Sequence, residues 1–275
     1  MPEVRPFRAL RYESEVIGDL AAVVSPPYDT IGPDEAVDLL ARHPKNAVRL
    51  DLPVGEQGDG PDDRYRRAAR TFAAWRSDGT FHKDPRPSLY VYEQADRAGD
   101  APDARVRRGF FGRLPLEPFG SGAGVVPGEA PLLAQREDRY KLLRATGVNT
   151  SPIVCLFEDP GDGASRILAE VAQLRAEIDL TDQHGTRHRV WALAADGPQA
   201  QAVTGLLVAI SSAPVTIADG QARYESALRY RDERRMSRSC EEDPAFDYIL
   251  ALFVAGPDAA TTQPLTGLVL NPHEW

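Results

Sequence analysis

Cysteine is nearly absent. Two residues in 275, Cys155 and Cys240, are too few for a disulfide framework and lack the paired spacing of a zinc site. Histidine is scarce as well: His43, His82, His184, His188 and His273 show no HExxH or other ligand spacing. No intrinsic metal site is therefore expected, and each histidine reads as structural or solvent-facing. Positive charge is in deficit, with 32 Lys and Arg against 41 Asp and Glu for a formal net charge of -9. That balance opposes the counterion-releasing grip by which proteins hold nucleic acid, although a few local donors suffice for a small anion. No apolar run approaches the length of a membrane span, and the opening residues from Met1 to Phe7 lack the basic start and apolar core of a secretory signal. The expectation is a soluble, cytoplasmic protein with neither nucleic acid nor membrane as partner.

What is present is a globular composition, 42% apolar, enough for one large domain or two ordinary ones. Leu20 to Val24 reads as a short strand that runs into a stretch from Ser25 to Asp29, held extended by Pro26 and Pro27. Pro33 to Arg42 has proline at its start, acid in its first turn and one apolar side, which predicts a helix; Ala47 to Leu52 reads as a strand. The spacing of Tyr65, Ala68, Ala69, Phe72 and Trp75 predicts a helix from Pro61 to Gly79. Strands at Leu89 to Glu93 and Val106 to Leu114 flank a polar segment, Ala95 to Ala104, as a hairpin with a mobile tip.

A boundary near Pro118 divides the chain into lobes of 1–118 and 119–275. Beyond it, helices are predicted over Ala134 to Ala145, Ser165 to Glu177, Gln199 to Ser211 and Ala222 to Met236. Strands are predicted at Ile153 to Phe157, Val190 to Leu193 and Val215 to Ile217, and a hairpin turn at Gly185. Tyr224 and Leu228, one turn apart, read as the core face of the last helix, and the acidic run Glu241 to Asp243 as a solvated loop. Helices and strands interleave throughout, which implies a mixed α/β or α+β class.

Two segments can carry chemistry. Val215 to Ile217 reaches an Asp219-Gly220 turn and then a helix whose first turn holds Gln221 and Arg223. Free backbone N–H groups and the positive end of the helix dipole suit a phosphate there. Asp219 is placed to orient a hydroxyl or a nucleotide-bound Mg²⁺; the plainer alternative is an ordinary Asp cap. The second segment is Val125 to Glu129, where a carboxylate leaves a Gly/Pro-rich loop and can accept a proton if the fold brings it near the phosphate cradle. Alone, such a glutamate is usually a solvated surface group.

Several stretches taken in order resemble the 'domain of unknown function 1015' family, relatives of free-serine kinases with the ParB/sulfiredoxin fold. They are Arg5 to Arg11, Val24 to Ile31, Asn46 to Leu50, Asp138 to Ile153 and Asp219 to Glu233. The resemblance implies a ParB/sulfiredoxin-like core behind an N-terminal α/β lobe. It also implies a shortened member, since family chains commonly continue past the point equivalent to Gly267 to His273. The kinase motifs supply a catalytic glutamate from Pro-His-Glu and a phosphate and substrate cradle from Asp-Gly-His-His-Arg. Those positions here read Pro127-Gly128-Glu129 and Asp219-Gly220-Gln221-Ala222-Arg223, so all three histidines are replaced.

By that resemblance Glu129 and Asp219 are the catalytic candidates, and Gly220, Gln221 and Arg223 the nucleotide-binding ones. Tyr28, Asp29, Asn149 and Ser151 are expected to meet substrate. The implied activity is transfer of phosphate from ATP or ADP, with nucleotide-bound Mg²⁺, to the hydroxyl of a serine-like metabolite. The alternatives are a catalytically impaired nucleotide- or phospho-metabolite-binding protein, and a divergent transferase or lyase acting on a phosphorylated amino acid.

Overall fold

The computed structural model describes residues 2–96, 105–122, 124–237, 243–256 and 262–273. The expected tip of the 95–104 segment, Cys240 and the first two residues of the acidic run therefore lie outside the described residues. In chain order the elements are β1 (Leu10–Tyr12), α1 (Ser14–Ile17), α2 (Pro33–Arg42), α3 (Val48–Asp51), α4 (Asp63–Ser77), β2 (Phe81–Lys83), β3 (Ser88–Ala95) and β4 (Val106–Pro115). Then come β5 (Val125–Val126), α5 (Leu133–Thr146), β6 (Val148–Asn149), β7 (Ile153–Phe157), α6 (Gly163–Val171), β8 (Ile178–Thr181) and β9 (Arg187–Ala194). The chain finishes with α7 (Ala200–Ile210), β10 (Val215–Asp219), α8 (Gln221–Ser237), β11 (Tyr248–Ala255) and β12 (Asn271–Pro272).

The fold is mixed α/β around one large mixed sheet, in the order β5-β10-β7-β11-β4-β3-β9-β8. β10 runs parallel to β5 and β11 parallel to β7, and the other pairings in this sheet are antiparallel. Strands from both sides of Pro118 share this sheet, since β4 pairs with β11 along its length.

Two cores cover the sheet. On one face Ile153, Cys155, Ala251 and Phe253 meet Tyr140 of α5, Leu168 of α6, Leu206 of α7 and Tyr224 of α8. On the other, Val154, Leu250, Leu252 and Val254 meet Phe7, Val24, Leu265 and Val269. A strand covered on both faces shows no polar alternation, which is why β11 reads along the chain as a featureless apolar run to which periodicity assigns no element. A third cluster joins Phe72 and Trp75 of α4 to Tyr12, Phe81, Val148 and Leu270.

The two strands expected at Leu20 to Val24 and Ala47 to Leu52 are instead a 3₁₀ turn, Leu20–Ala22, and the short helix α3. Asn46 is the cause. Its buried side chain donates to the carbonyls of Ala22 and Val24 at 2.9 and 3.2 Å, satisfying backbone that a ladder would otherwise have to pair. Its Oδ1 accepts from the N–H of Val48 at 3.0 Å, starting α3 where the β-branched sequence points to a strand. The helix expected over Ser165 to Glu177 stops at Val171, because the chain must turn for Ile178 to pair with β9. Asp243 is not a merely solvated acid: it accepts from Arg5 at 3.1 Å, Arg113 at 2.9 Å and the Tyr248 hydroxyl at 2.5 Å.

Candidate functional site

The centre of the site is the junction of β10 and α8. The carbonyl of Gly220 accepts from the N–H groups of Arg223 and Tyr224 at 2.9 and 3.1 Å, so Gly220 is the residue on which the helix starts. Asp219 is therefore the last residue of the strand and not the cap. Gly220 has φ of +87°, and a Cβ there would stand 2.9 Å from Ile153 Cγ2 and 2.5 Å from Arg223 Nη1, so both conformation and space demand glycine. Gly128 lies against β10 closely enough that a Cβ would collide with the carbonyl of Ile217. This close approach, with the parallel pairing of β5 to β10, lays the loop carrying Glu129 beside the helix start.

The result is a cleft of about 250 Å³ whose walls include Tyr28, Asp29, Glu129, Asp219, Gly220 and Gln221. Six of the nine residues singled out in the sequence thus meet in one place. Glu129 is exposed, and among the described residues its carboxylate has no partner. Gln221 donates to Glu225 at 2.9 Å, while its own Oε1 is buried without a partner.

The other three singled-out residues line a smaller chamber of about 30 Å³, room for about one water. Arg223, Asn149 and Ser151 meet there with Asp51, Arg139 and Thr150. Arg223, only 9% exposed, donates from Nη1 to the Pro152 carbonyl at 3.1 Å and to Asp219 at 3.2 Å, and its Nε is left unpartnered. Burial alone would lower its pKa, but Asp219, Asp51, Tyr28 and Asp29 outweigh that and raise it. Asn149 Oδ1 is already taken by the N–H of Leu250 and by Asn271, both at 3.2 Å.

Asp51 carried no sequence signal of its own, and Asp138 and Arg139 entered only as the start of a stretch that resembles the family. Arg139, 5% exposed, is held by Asp138 at 2.5 and 2.9 Å and by Asp51 at 3.3 Å. Asp51 collects hydroxyls from Thr150 at 2.6 Å, Thr266 at 3.1 Å and Ser151 at 3.3 Å. Burial works against ionisation of Asp138, but Arg139, Tyr65 and Arg64 prevail and lower its pKa. Tyr28 separates the two spaces, its ring facing Arg139 at 3.8 Å and Arg223 at 5.2 Å. Its own pKa is raised, by burial first, against the pull of both guanidinium groups.

A family model described as "Protein of unknown function (DUF1015)" matches residues 4–261. The chain belongs to this family. The match spans β1 through β11, so in this DUF1015 member both the cleft and the inner chamber are built within the family region. Comparisons with curated proteins and with solved structures gave no match. Among the described residues no three His, Cys, Asp or Glu side chains are grouped to hold a metal ion, and no helix is long and apolar enough to cross a membrane.

Proposed function

We propose that the outer cleft receives the phosphates of a nucleotide and that the protein transfers a phosphoryl group to the hydroxyl of a small, serine-like acceptor. The observation that carries this is that Glu129 and Asp219, 90 positions apart in sequence, line one cleft at the start of a 17-residue helix. The first N–H groups of α8 have no acceptor within the helix and lie at the positive end of its dipole, which favours phosphate oxygens. The acceptor oxygen attacks the terminal phosphorus, the bond to the bridging oxygen breaks, and the hydroxyl proton passes to the free carboxylate of Glu129.

Asp29, Glu129 and Asp219 would repel a bare polyphosphate. ATP or ADP would therefore enter with its own Mg²⁺ to offset the charge, and Asp219 is the carboxylate best held for that role, because buried Arg223 fixes it from behind. Arg223 acts on the cleft through Asp219 and the helix start, since its guanidinium gives onto the inner chamber. On this reading residues 119–275 carry a ParB/sulfiredoxin-like core behind the N-terminal α/β lobe.

One observation favours a second reading, a binding protein without turnover. None of the described residues lining the cleft is Lys, Arg or His. A developing charge on the transferring group would meet no cationic side chain there, and one such donor is worth about 3 kcal/mol of barrier. Incubation with ATP or ADP and a panel of free serine, threonine and related hydroxy compounds, read by mass spectrometry, separates the two. A phosphorylated acceptor supports transfer. No such product, with nucleotide still bound by calorimetry, supports binding alone, and a product lacking an added phosphoryl group points to a transferase or lyase.

A further inference from the structure

A second cleft, of about 280 Å³, uses other residues of the same Pro26–Thr30 loop. Tyr28 and Asp29 line the first cleft, whereas Pro26, Pro27 and Thr30 line this one, together with Glu35 of α2, Gln94 of β3 and the β8–β9 turn. Its floor is rigid. His188, almost wholly buried, meets the Tyr92 hydroxyl at 2.7 Å through Nδ1 and Asp182 at 3.2 Å through Nε2. Burial pushes the Tyr92 phenol well up, so it stays protonated and the chain Tyr92–His188–Asp182 is hydrogen-bonded throughout. Asp182 is completed by the N–H groups of His184 and Thr186 at 2.8 and 2.9 Å.

Two groups remain open. Gln94 is 7% exposed, and its Oε1 accepts from the N–H of Gln263 at 3.1 Å, which fixes the orientation of the amide. Its Nε2 has no partner among the described residues, and Gln94 is one of the residues lining the cleft. Glu35 receives Gln183 and His184 at Oε1, leaving Oε2. The hydroxyls of Thr30 and Thr186 stand nearby, and Pro27 and Leu265 supply apolar contact. No Lys or Arg is among the described lining residues, while Glu35 and Asp182 are both acids, so the field in this cleft is unfavourable to phosphate.

We propose that this second cleft binds a small hydroxyl- or amine-bearing molecule without net negative charge, taking an acceptor to Gln94 Nε2 and a donor to Glu35 Oε2. The volume, at roughly 30 Å³ per water, suits a polyol or amino alcohol of up to about six carbons. The site stands independently of phosphoryl transfer at the first cleft.

Saturation-transfer NMR on the full chain, with glycerol, myo-inositol and ethanolamine as probes and glycerol 3-phosphate as the anionic counterpart, tests it. At least one uncharged or cationic probe should saturate, and the phosphate ester should bind at least about tenfold more weakly, a difference of about 1.4 kcal/mol. Gln94→Leu and Glu35→Ala should each weaken the bound probe at least about fivefold; the second change sits on a solvent-accessible helix turn and leaves folding intact. Glu129→Gln should leave this binding unaltered, which separates it from the first cleft. Absence of saturation by every probe up to tens of millimolar, equal binding of the phosphate ester, or unchanged affinity in the folded Glu35→Ala variant would each overturn the proposal.

Discussion

The guanidinium of Arg139 lies 3.8 Å over the ring of Tyr28. The same cation is wedged between Asp138 and Asp51 and is almost wholly buried, so its charge is balanced by acids on both sides and capped by an aromatic face. Removing it takes from buried Asp51 the cation that pairs with it at 3.3 Å. Arg139→Met should cost about 3 kcal/mol in urea unfolding, in line with breaking one partner out of a buried pair. Arg139→Lys should cost less, since it keeps the charge but loses the fork geometry and the stacking.

Gly220→Ala tests the helix start. The residue would have to adopt a left-handed φ of +87° and displace Arg223 or Ile153. A loss of about 2 kcal/mol is expected from the conformation and the crowding together, read from the denaturant midpoint.

Glu129→Gln addresses the chemistry. The carboxylate is exposed and free of partners among the described residues, so the amide should fold as well as the parent and bind nucleotide nearly as tightly. Phosphoryl transfer should fall below detection, because the amide cannot take the hydroxyl proton. Robust product from this variant would remove Glu129 from the role of base. Replacing Gln221 and Ala222 by histidine should raise a weak activity by restoring donors beside the cleft.

Arg223→Ala should weaken nucleotide binding by more than about 1.5 kcal/mol in calorimetry, because it releases Asp219 and removes a cation beneath the helix start. The measurement belongs at a temperature where the variant is folded, since Arg223 also ties the Pro152 carbonyl to α8. Unchanged affinity would show that the cleft does not depend on this ion pair.

The acid limb of stability should depend on Asp84. Burial opposes its ionisation, but hydrogen bonds from His82, Arg11 and Tyr90 outweigh that and bring the carboxyl from 3.8 to about 2. A depressed folded pKa contributes stability above the unfolded value, lost as pH falls through the folded one. Asp84→Asn should therefore lower stability at neutral pH and flatten the decline between about pH 4 and about pH 2 in urea titrations.

The helices α2, α4, α5, α7 and α8 and the strands β3, β4, β7, β9 and β10 were legible along the chain, because each carries a period, a proline start or a glycine stop that acts within a few residues. The glycines at 128 and 220 and the carboxylates at 129 and 219 were legible as well, though not their convergence. Convergence depends on β5 pairing with β10 across about 90 positions, a contact that no local signal encodes. Asn46 shows the opposite case: its side chain takes over backbone bonding at Ala22, Val24 and Val48 and turns two β-branched segments away from the sheet. The inner chamber was legible only in part, for a related reason. Arg223, Asn149 and Ser151 were singled out along the chain, but Asp51 and Thr150 are ordinary polar residues there, and only joint burial, which makes each depend on the others for charge and hydrogen bonds, joins them with Arg139 into one buried network.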